Sequence, residues 1–235
     1  MKILHCITSL DTGGAERTLV RLVNKSKYKH LILTIKNSYS LKSFLHNEVY
    51  IISLFPFSLK NLINLYKAIK RFNPDLIQGW MYHGDLVASI IGLVFCRPIF
   101  WNIRHGKMSF IHSSKLTLFI RFLLSIFSYL VPSKIISCSY CGVAVHKRIG
   151  YCKKKFYVIH NGIDIEKKYN KNYGELLNKN VINIASIGRN SPQKNRNYFL
   201  KILDILAKFR PIKGIIIGRD INSSLELKLI KKKTI

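Results

Sequence analysis

"MKILHCITSLDTGGAERTLVRLVNKS", Met1 to Ser26, runs from an apolar segment through a turn with two adjacent glycines into a stretch of helical periodicity. "KILHCIT" reads as a strand, and "AERTLVRLVNKS" reads as a helix with its apolar residues on one face. The turn at Gly13 and Gly14 has two readings. It is either a plain tight turn, or one that lets backbone N–H groups approach a phosphate at the positive end of the following helix.

The same alternation continues along the chain. "HLILTIK" is a strand pattern, "LKSFLHN" a short helix, "VYIISL" a strand and "LKNLINLYKAIKRF" a helix. "DLIQGW", "DLVASIIGLVF" and "PIFWNIR" repeat the strand, helix, strand order; "SKIISCS", "CGVAVHKRIG" and "KFYVIHNGI" repeat it again. Strands alternating with helices predict βαβ units around a parallel sheet. Between Asp164 and Asn180, "DIEKKYNKNYGELLNKN" is polar and lacks apolar periodicity, which marks a domain boundary. Beyond it, "VINIASIG", "NRNYFLKILDILAKFR" and "KGIIIG" begin a second α/β domain. Two strands and a partial helix are too little to bury both faces of a parallel sheet, so this domain is expected to be incomplete.

Composition narrows the partners. With 48% hydrophobic residues over 235, the chain can bury a sizeable core. Thirty-nine Lys and Arg against eleven Asp and Glu give +28, which suits nucleic acid, anionic lipid or phosphorylated substrates, or a lysine-covered solvated surface. No zinc-finger spacing, RNP-like aromatic signature or isolated basic helix is present, so a nucleic-acid partner is not expected. Cys6, Cys96, Cys138, Cys141 and Cys152 fit a reducing, cytosolic setting. The C-x2-C pair at Cys138 and Cys141 lacks a second ligand pair for zinc, and the thiols are expected to be buried. No secretory signal is read at the N-terminus. "KLTLFIRFLLSIFSYLVPSKII", Lys115 to Ile136, has sixteen residues between Lys115 and Pro132 and carries Arg121. That is short of the roughly 20 residues a spanning helix needs, so a buried or membrane-surface helix is expected.

Four segments fall at predicted strand ends, where open α/β sheets bind ligands. They are Thr12 to Glu16, "GWMYHGD" at Gly79 to Asp85, "NIRHG" at Asn102 to Gly106, and "GRNSPQKN" at Gly188 to Asn195. Arg189 and Lys194, on a loop entering a helix, can grip a diphosphate with a guanidinium fork and an ammonium. His83 and His105 can face one cleft as a general base or an orienting group, with Asp85 available to hold one imidazole. For each segment the simpler reading is a solvated basic turn or a histidine satisfied at a strand end.

In order, "GGAE", "PDLIQGWMYHGDL", "IFWNIRHG", "YVIHNGID" and "GRNSPQKN" resemble the retaining family 4 glycosyltransferases, particularly those of bacterial surface-polysaccharide assembly such as O-antigen or capsule. The resemblance runs from Met1 to about Leu227. It implies an α/β fold of GT-B type, with one complete Rossmann-like N-terminal domain and an incomplete Rossmann-like C-terminal domain. The expected boundaries are an acceptor-binding domain over 1–165, a linker over 166–180 and a partial nucleotide-sugar-binding domain over 181–235. Gly13 and Gly14 would lie beside the donor diphosphate, and Arg189 and Lys194 would neutralise it as it departs. Glu16, His83, Arg104 and His105 would lie on the acceptor side, with His105 acting on the acceptor. Asn161 and Gly162 would mark the interdomain turn. The substrate would be a nucleotide-diphosphate sugar, with no metal or other cofactor.

Two departures stand out. Arg104 occupies the place where the family usually has its acceptor-domain histidine, leaving His105 one position off. The family's glutamate-containing donor motif has no counterpart, so a C-terminally truncated chain is expected. The resemblance further implies a lipid-linked acceptor, an anionic membrane surface, a peripheral location on the inner face of the cytoplasmic membrane, and a protein partner covering the incomplete domain. The contrasting reading is a non-catalytic membrane-surface or lipid-carrier binding module.

Overall fold

A computed structural model describes residues 1–46, 49–104, 106, 114–162, 181–188 and 194–218. They belong to two units, Met1–Ile163 and Asp164–Ile235. The first unit runs β1 (Lys2–Ile7), α1 (Gly14–Lys25), β2 (Lys29–Thr34), β3 (Tyr50–Ser53), α2 (Leu59–Phe72) and β4 (Leu76–Gly79). It continues through α3 (Met81–Val94), β5 (Ile99–Ile103), α4 (Lys115–Phe127), β6 (Lys134–Ser137), α5 (Tyr140–Arg148) and β7 (Phe156–Val158). Every strand pairing is parallel, and the seven strands lie in the order β3-β2-β1-β4-β5-β6-β7. This is the Rossmann-like α/β sheet that the alternating pattern predicts.

Local chemistry sets the helix ends. Ser58, Ser114 and Ser139 each accept an N–H from the first turn of α2, α4 and α5. Asn73 closes α2 in the left-handed conformation, with φ 52, and Pro74 follows. Alternate strand residues enter separate cores on the two faces of the sheet. Leu4, Leu31, Ile77, Trp101 and Ile135 belong to one; Ile7, Ile32 and Trp80 pack with Leu19, Val20 and Val23 of α1 in the other. Gly84 lets α3 approach β1, because a Cβ there would collide with the Cys6 carbonyl.

Three details differ from the sequence reading. The segment expected as a short helix at "LKSFLHN" is only a 3-10 turn, Lys42–Phe44, because Asn24 on α1 ties down both the Phe44 carbonyl and the His46 N–H. Helix α3 starts at Met81, four residues before the expected Asp85, directly after β4. The thiols expected to be buried are not all so: Cys138 is half-buried and Cys141 exposed. Among the described residues, no group of three His, Cys, Asp or Glu could hold a metal ion.

The apolar stretch after Lys115 forms α4, 13 residues long, with Ile120 and Leu124 buried and Leu116, Phe119, Phe122 and Ile126 exposed. No helix among the described residues is long and apolar enough to cross a membrane. Beyond α4, Leu130 is 86% exposed, and Lys155 Nζ donates to the neighbouring Tyr129 carbonyl at 2.7 Å.

In the second unit, β8 (Ile182–Ile187) and β9 (Ile212–Ile217) pair in parallel, joined through α6 (Arg196–Ala207). Among its described residues only Arg196 is buried.

Candidate functional site

The strand order of the first unit runs outward from β1 in one direction through β2 and β3, and in the other through β4 to β7. The reversal lies between β1 and β4, and in open α/β sheets ligands bind past the carboxyl ends of the strands at such a point. Residues leaving β1, β4, β5 and β7 meet there.

The loop after β1 is held by Asp11, whose carboxylate accepts from Ser38 Oγ at 2.6 Å and Ser40 Oγ at 2.9 Å. These bonds, the Ser38 one foremost, hold its carboxyl below the usual carboxylate range. Gly13 is the N-cap of α1 and has no side chain to cap the first-turn N–H groups, which leaves a helix N-terminus able to receive an anion. The Glu16 carboxylate folds back over Gly13, where a Cβ would collide with it. The Gly13 N–H itself donates to the Asp11 carbonyl at 2.9 Å.

From β4, Trp80 is fully buried, and Met81 turns into α3 with φ 66, a strained conformation for a residue with a side chain. His83 follows in the first turn of α3, half-buried; burial and then the charge of Lys36 hold it below its ordinary value. Its imidazole is therefore neutral at neutral pH and able to accept a proton. Asp85, available by sequence to hold an imidazole, is bonded elsewhere. It is fully buried, its Oδ1 accepts the Asn102 N–H at 3.1 Å, and its Oδ2 has no partner. Burial raises its carboxyl well above the usual range in the packing between α3 and β5.

Arg104 leaves β5 at the centre of this group. Its Nη1 donates to Thr18 Oγ1 at 3.2 Å and to Asn161 Oδ1 at 2.6 Å, and its guanidinium lies 4.8 Å from the Trp80 ring centroid. Its Nε is buried without a partner. Burial lowers its value from the ordinary one, opposed by nearby Cys138 and Glu16, yet an arginine remains charged. Arg21 Nη1 donates to the Gly162 carbonyl at 3.0 Å, so two arginines anchor the segment after β7 to α1 and β5. Cys141 Sγ donates to the Gly106 carbonyl at 3.1 Å.

The structure thus brings Gly13, Gly14, Glu16, His83, Arg104, Asn161 and Gly162 to one edge of the sheet. His105 and Arg189 lie outside the described residues. Lys194 belongs to the second unit, where its alkyl stem lies 3.0–3.2 Å from the position a Gly188 Cβ would occupy. Arg196 Nη2 donates to the Gly188 carbonyl at 2.5 Å, and Gly188 and Gly218 end the adjacent strands. Thr18, Arg21, Trp80 and Arg196 were not read from the sequence as site residues. Thr18 and Arg21 share a helix face at i, i+3, the one signal that could have paired them.

The family model for Glycosyltransferase Family 4 matches residues 12–167. The chain belongs to glycosyltransferase family 4. No curated protein matches this family 4 chain. Among solved structures, it is similar to Anabaena Alr3699/HepE in complex with UDP, at 21% identity and a TM-score of 0.75, covering 99% of this chain and 64% of that one. Sucrose-phosphate synthase from Thermosynechococcus elongatus gives 11% identity and a TM-score of 0.66, covering 99% and 66%. The lipopolysaccharide outer core galactosyltransferase WaaB in its apo form gives 13% identity and 0.57, covering 99% and 71%. This chain therefore spans about two thirds of the length of these proteins and shares their GT-B fold.

Proposed function

We propose that this family 4 chain carries the acceptor-binding part and the start of the donor-binding part of a retaining glycosyltransferase. The enzyme moves a sugar from a nucleotide-diphosphate sugar to a lipid-linked polysaccharide acceptor at the inner face of the cytoplasmic membrane. The observation that carries the reading is the bond from Arg104, leaving β5, to Thr18 on α1, the helix that Gly13 opens past the β1/β4 switch point. Structures of Alr3699/HepE in complex with UDP and with UDP-glucose support a nucleotide-sugar donor.

In the first unit, Gly13 and Gly14 lie beside the donor phosphate oxygens, with the Gly14 N–H facing them and the Gly13 N–H held by the Asp11 carbonyl at 2.9 Å. His83 and His105 stand on the acceptor side, where a neutral imidazole can take the hydroxyl proton as the new glycosidic bond forms. Arg104 replaces the usual histidine and orients an anionic acceptor group, since a guanidinium cannot act as a base at neutral pH. In the second unit, Arg189 and Lys194 neutralise the charge that grows on the diphosphate as the bond to the sugar breaks. No metal or other cofactor is called for in this scheme.

Membrane association is supported by the exposed apolar face of α4 and by Leu130, with Lys155 bonded to the adjacent Tyr129 carbonyl. Apolar residues beside lysines suit an anionic bilayer surface. The same face supports a second reading, a non-catalytic lipid-binding module, and the second unit's exposed apolar residues support a protein partner over it.

The test is transfer of labelled sugar from nucleotide sugars to a polyprenyl-diphosphate acceptor in phosphatidylglycerol vesicles, using this chain alone and the chain extended to the length of its structural relatives. The proposal expects transfer with the donor's anomeric configuration kept, and loss of vesicle binding in Phe122→Asp/Leu130→Asp. Absence of transfer from every donor by an extended, folded protein that still binds vesicles would overturn the enzymatic reading in favour of the binding module.

A further inference from the structure

Helices α2, α3 and α4 cover one face of the seven-strand sheet: Leu65 and Ile69 of α2, Ala88 of α3 and Leu124 of α4 enter the same core. A helix that covers a sheet needs one apolar side, with polar residues opposite. Each of these three has a second apolar side turned outward. On α2, Leu59, Leu62, Ile63 and Tyr66 recur at the spacing of one helix flank and all are exposed, Leu59 at 75%. Ile90, Leu93 and Val94 do the same on α3, beside the exposed residues of α4 already described.

Contacts join these outward sides. The Tyr66 ring lies 5.3 Å from that of Phe95, just past α3, and Arg97 Nη2 donates at 2.7 Å to Asn73 Oδ1 at the end of α2. Tyr66 thus turns the apolar flank of α2 toward α3, and α3 packs in turn against α4. Lys67 and Lys70 follow Ile63 and Tyr66 by four residues, so helix geometry sets an exposed ammonium next to each. Carboxylates are missing from this face: the three helices hold one between them, Asp85, and it is fully buried. A second copy of this chain would bring the lysines against their own counterparts with no carboxylate to meet them, which disfavours a self-complementary interface. Anionic headgroups over hydrocarbon match both the apolar stripes and the cations.

We propose that the outward sides of α2, α3 and α4 form one continuous seat on an anionic phospholipid bilayer, with α2 as a second anchor beside α4. The seat extends the membrane part of the proposed function and rests on α4 reaching the bilayer. Each helix begins where a parallel strand ends, so the first turns of α2 and α4 stand at the same strand edge as Gly13 and Arg104. Phe55 and Phe57, packed edge to face between β3 and α2 with Phe57 67% exposed, lie at that edge too. The candidate site then opens beside the bilayer surface, where a lipid-linked group is presented.

The experiment is flotation of the chain with phosphatidylglycerol and with phosphatidylcholine vesicles. It compares the wild type with Leu59→Asp/Ile63→Asp, Lys67→Gln/Lys70→Gln and Phe122→Asp/Leu130→Asp, each checked for helix content by circular dichroism. The substituted α2 side chains are exposed; if the aspartate pair fails to fold, the lysine pair carries the test. The seat predicts saturable wild-type binding to phosphatidylglycerol, weaker binding to phosphatidylcholine, and a loss of about tenfold or more in either α2 variant. Full affinity in both α2 variants with loss in Phe122→Asp/Leu130→Asp would leave membrane contact to α4 alone, overturning the seat while sparing the proposed function. No binding by the wild type would overturn both. Equal affinity for the two lipids would overturn the anionic bilayer as the occupant. A concentration-dependent dimer, without vesicle binding, that Leu59→Asp/Ile63→Asp abolishes would put a second copy on this face instead.

Discussion

The two units begin with the same local pattern and reach different ends. Strands β1 and β2 pair in parallel over six residues, and so do β8 and β9. Yet β1 is buried at five of its six positions, whereas no residue of β8 is buried. The first unit covers both faces of its sheet, with α1 on one and α3 and α4 contributing to the core on the other. In the second, Ile187 and Ile217 at the strand ends and Phe209 after α6 remain exposed. An isoleucine-rich strand contributes apolar stabilisation only when both faces are covered.

The sharpest way to break this contrast is to remove one large side chain from each unit. Trp101 is fully buried, donates from Nε1 to Ser89 Oγ at 3.0 Å and stacks edge-on near Tyr151. Trp101→Ala should cost about 3–5 kcal/mol in urea unfolding. Ile187 is 71% exposed, and Ile187→Ala should change stability by no more than about 0.5 kcal/mol. Equal losses would mean that the second unit has a core of its own.

A smaller effect sharpens the picture within the first unit. Gly84→Ala drives a methyl group into the Cys6 carbonyl and should destabilise by about 2 kcal/mol. Gly14, also in a helix, has open space where its Cβ would lie, and Gly14→Ala should be neutral or stabilising by up to about 1 kcal/mol. Thermal melts of the two variants decide whether close approach of α3 to β1 is what requires glycine.

A further effect concerns pH. Burial raises the Asp85 carboxyl well above the ordinary value, while in the unfolded chain it titrates at about 3.9. Above that point the unfolded state has released a proton that the folded state still holds, so this group lowers stability as pH rises. Asp85→Asn should therefore gain on the wild type progressively from acid toward neutral pH, with the smallest difference in acid. A difference independent of pH would mean that the buried carboxyl is ionised.

Most of the first unit was legible because its strands are short apolar runs punctuated by Gly, Pro and Asn, and its helices keep a single apolar face. The start of α3 was not, because Met81 makes the strand-to-helix turn with a positive φ and no glycine or proline announces it. Strand-end positions exposed Gly13, His83 and Arg104 as candidates. The settings of these residues were hidden, since Arg104 meets Asn161 across 57 positions and Trp80 meets His5 across 75. The partner of Asp85 was hidden as well, because it is a backbone N–H on β5, 17 positions away.

The most direct measurement is binding of a water-soluble polyprenyl-diphosphate sugar analogue to this chain, compared among the wild type, Arg104→Ala and Lys194→Ala, with folding checked by circular dichroism. The account predicts that Arg104→Ala weakens binding by about tenfold or more while Lys194→Ala leaves it unchanged. Wild-type affinity in a folded Arg104→Ala variant would contradict an acceptor site at the β1/β4 edge.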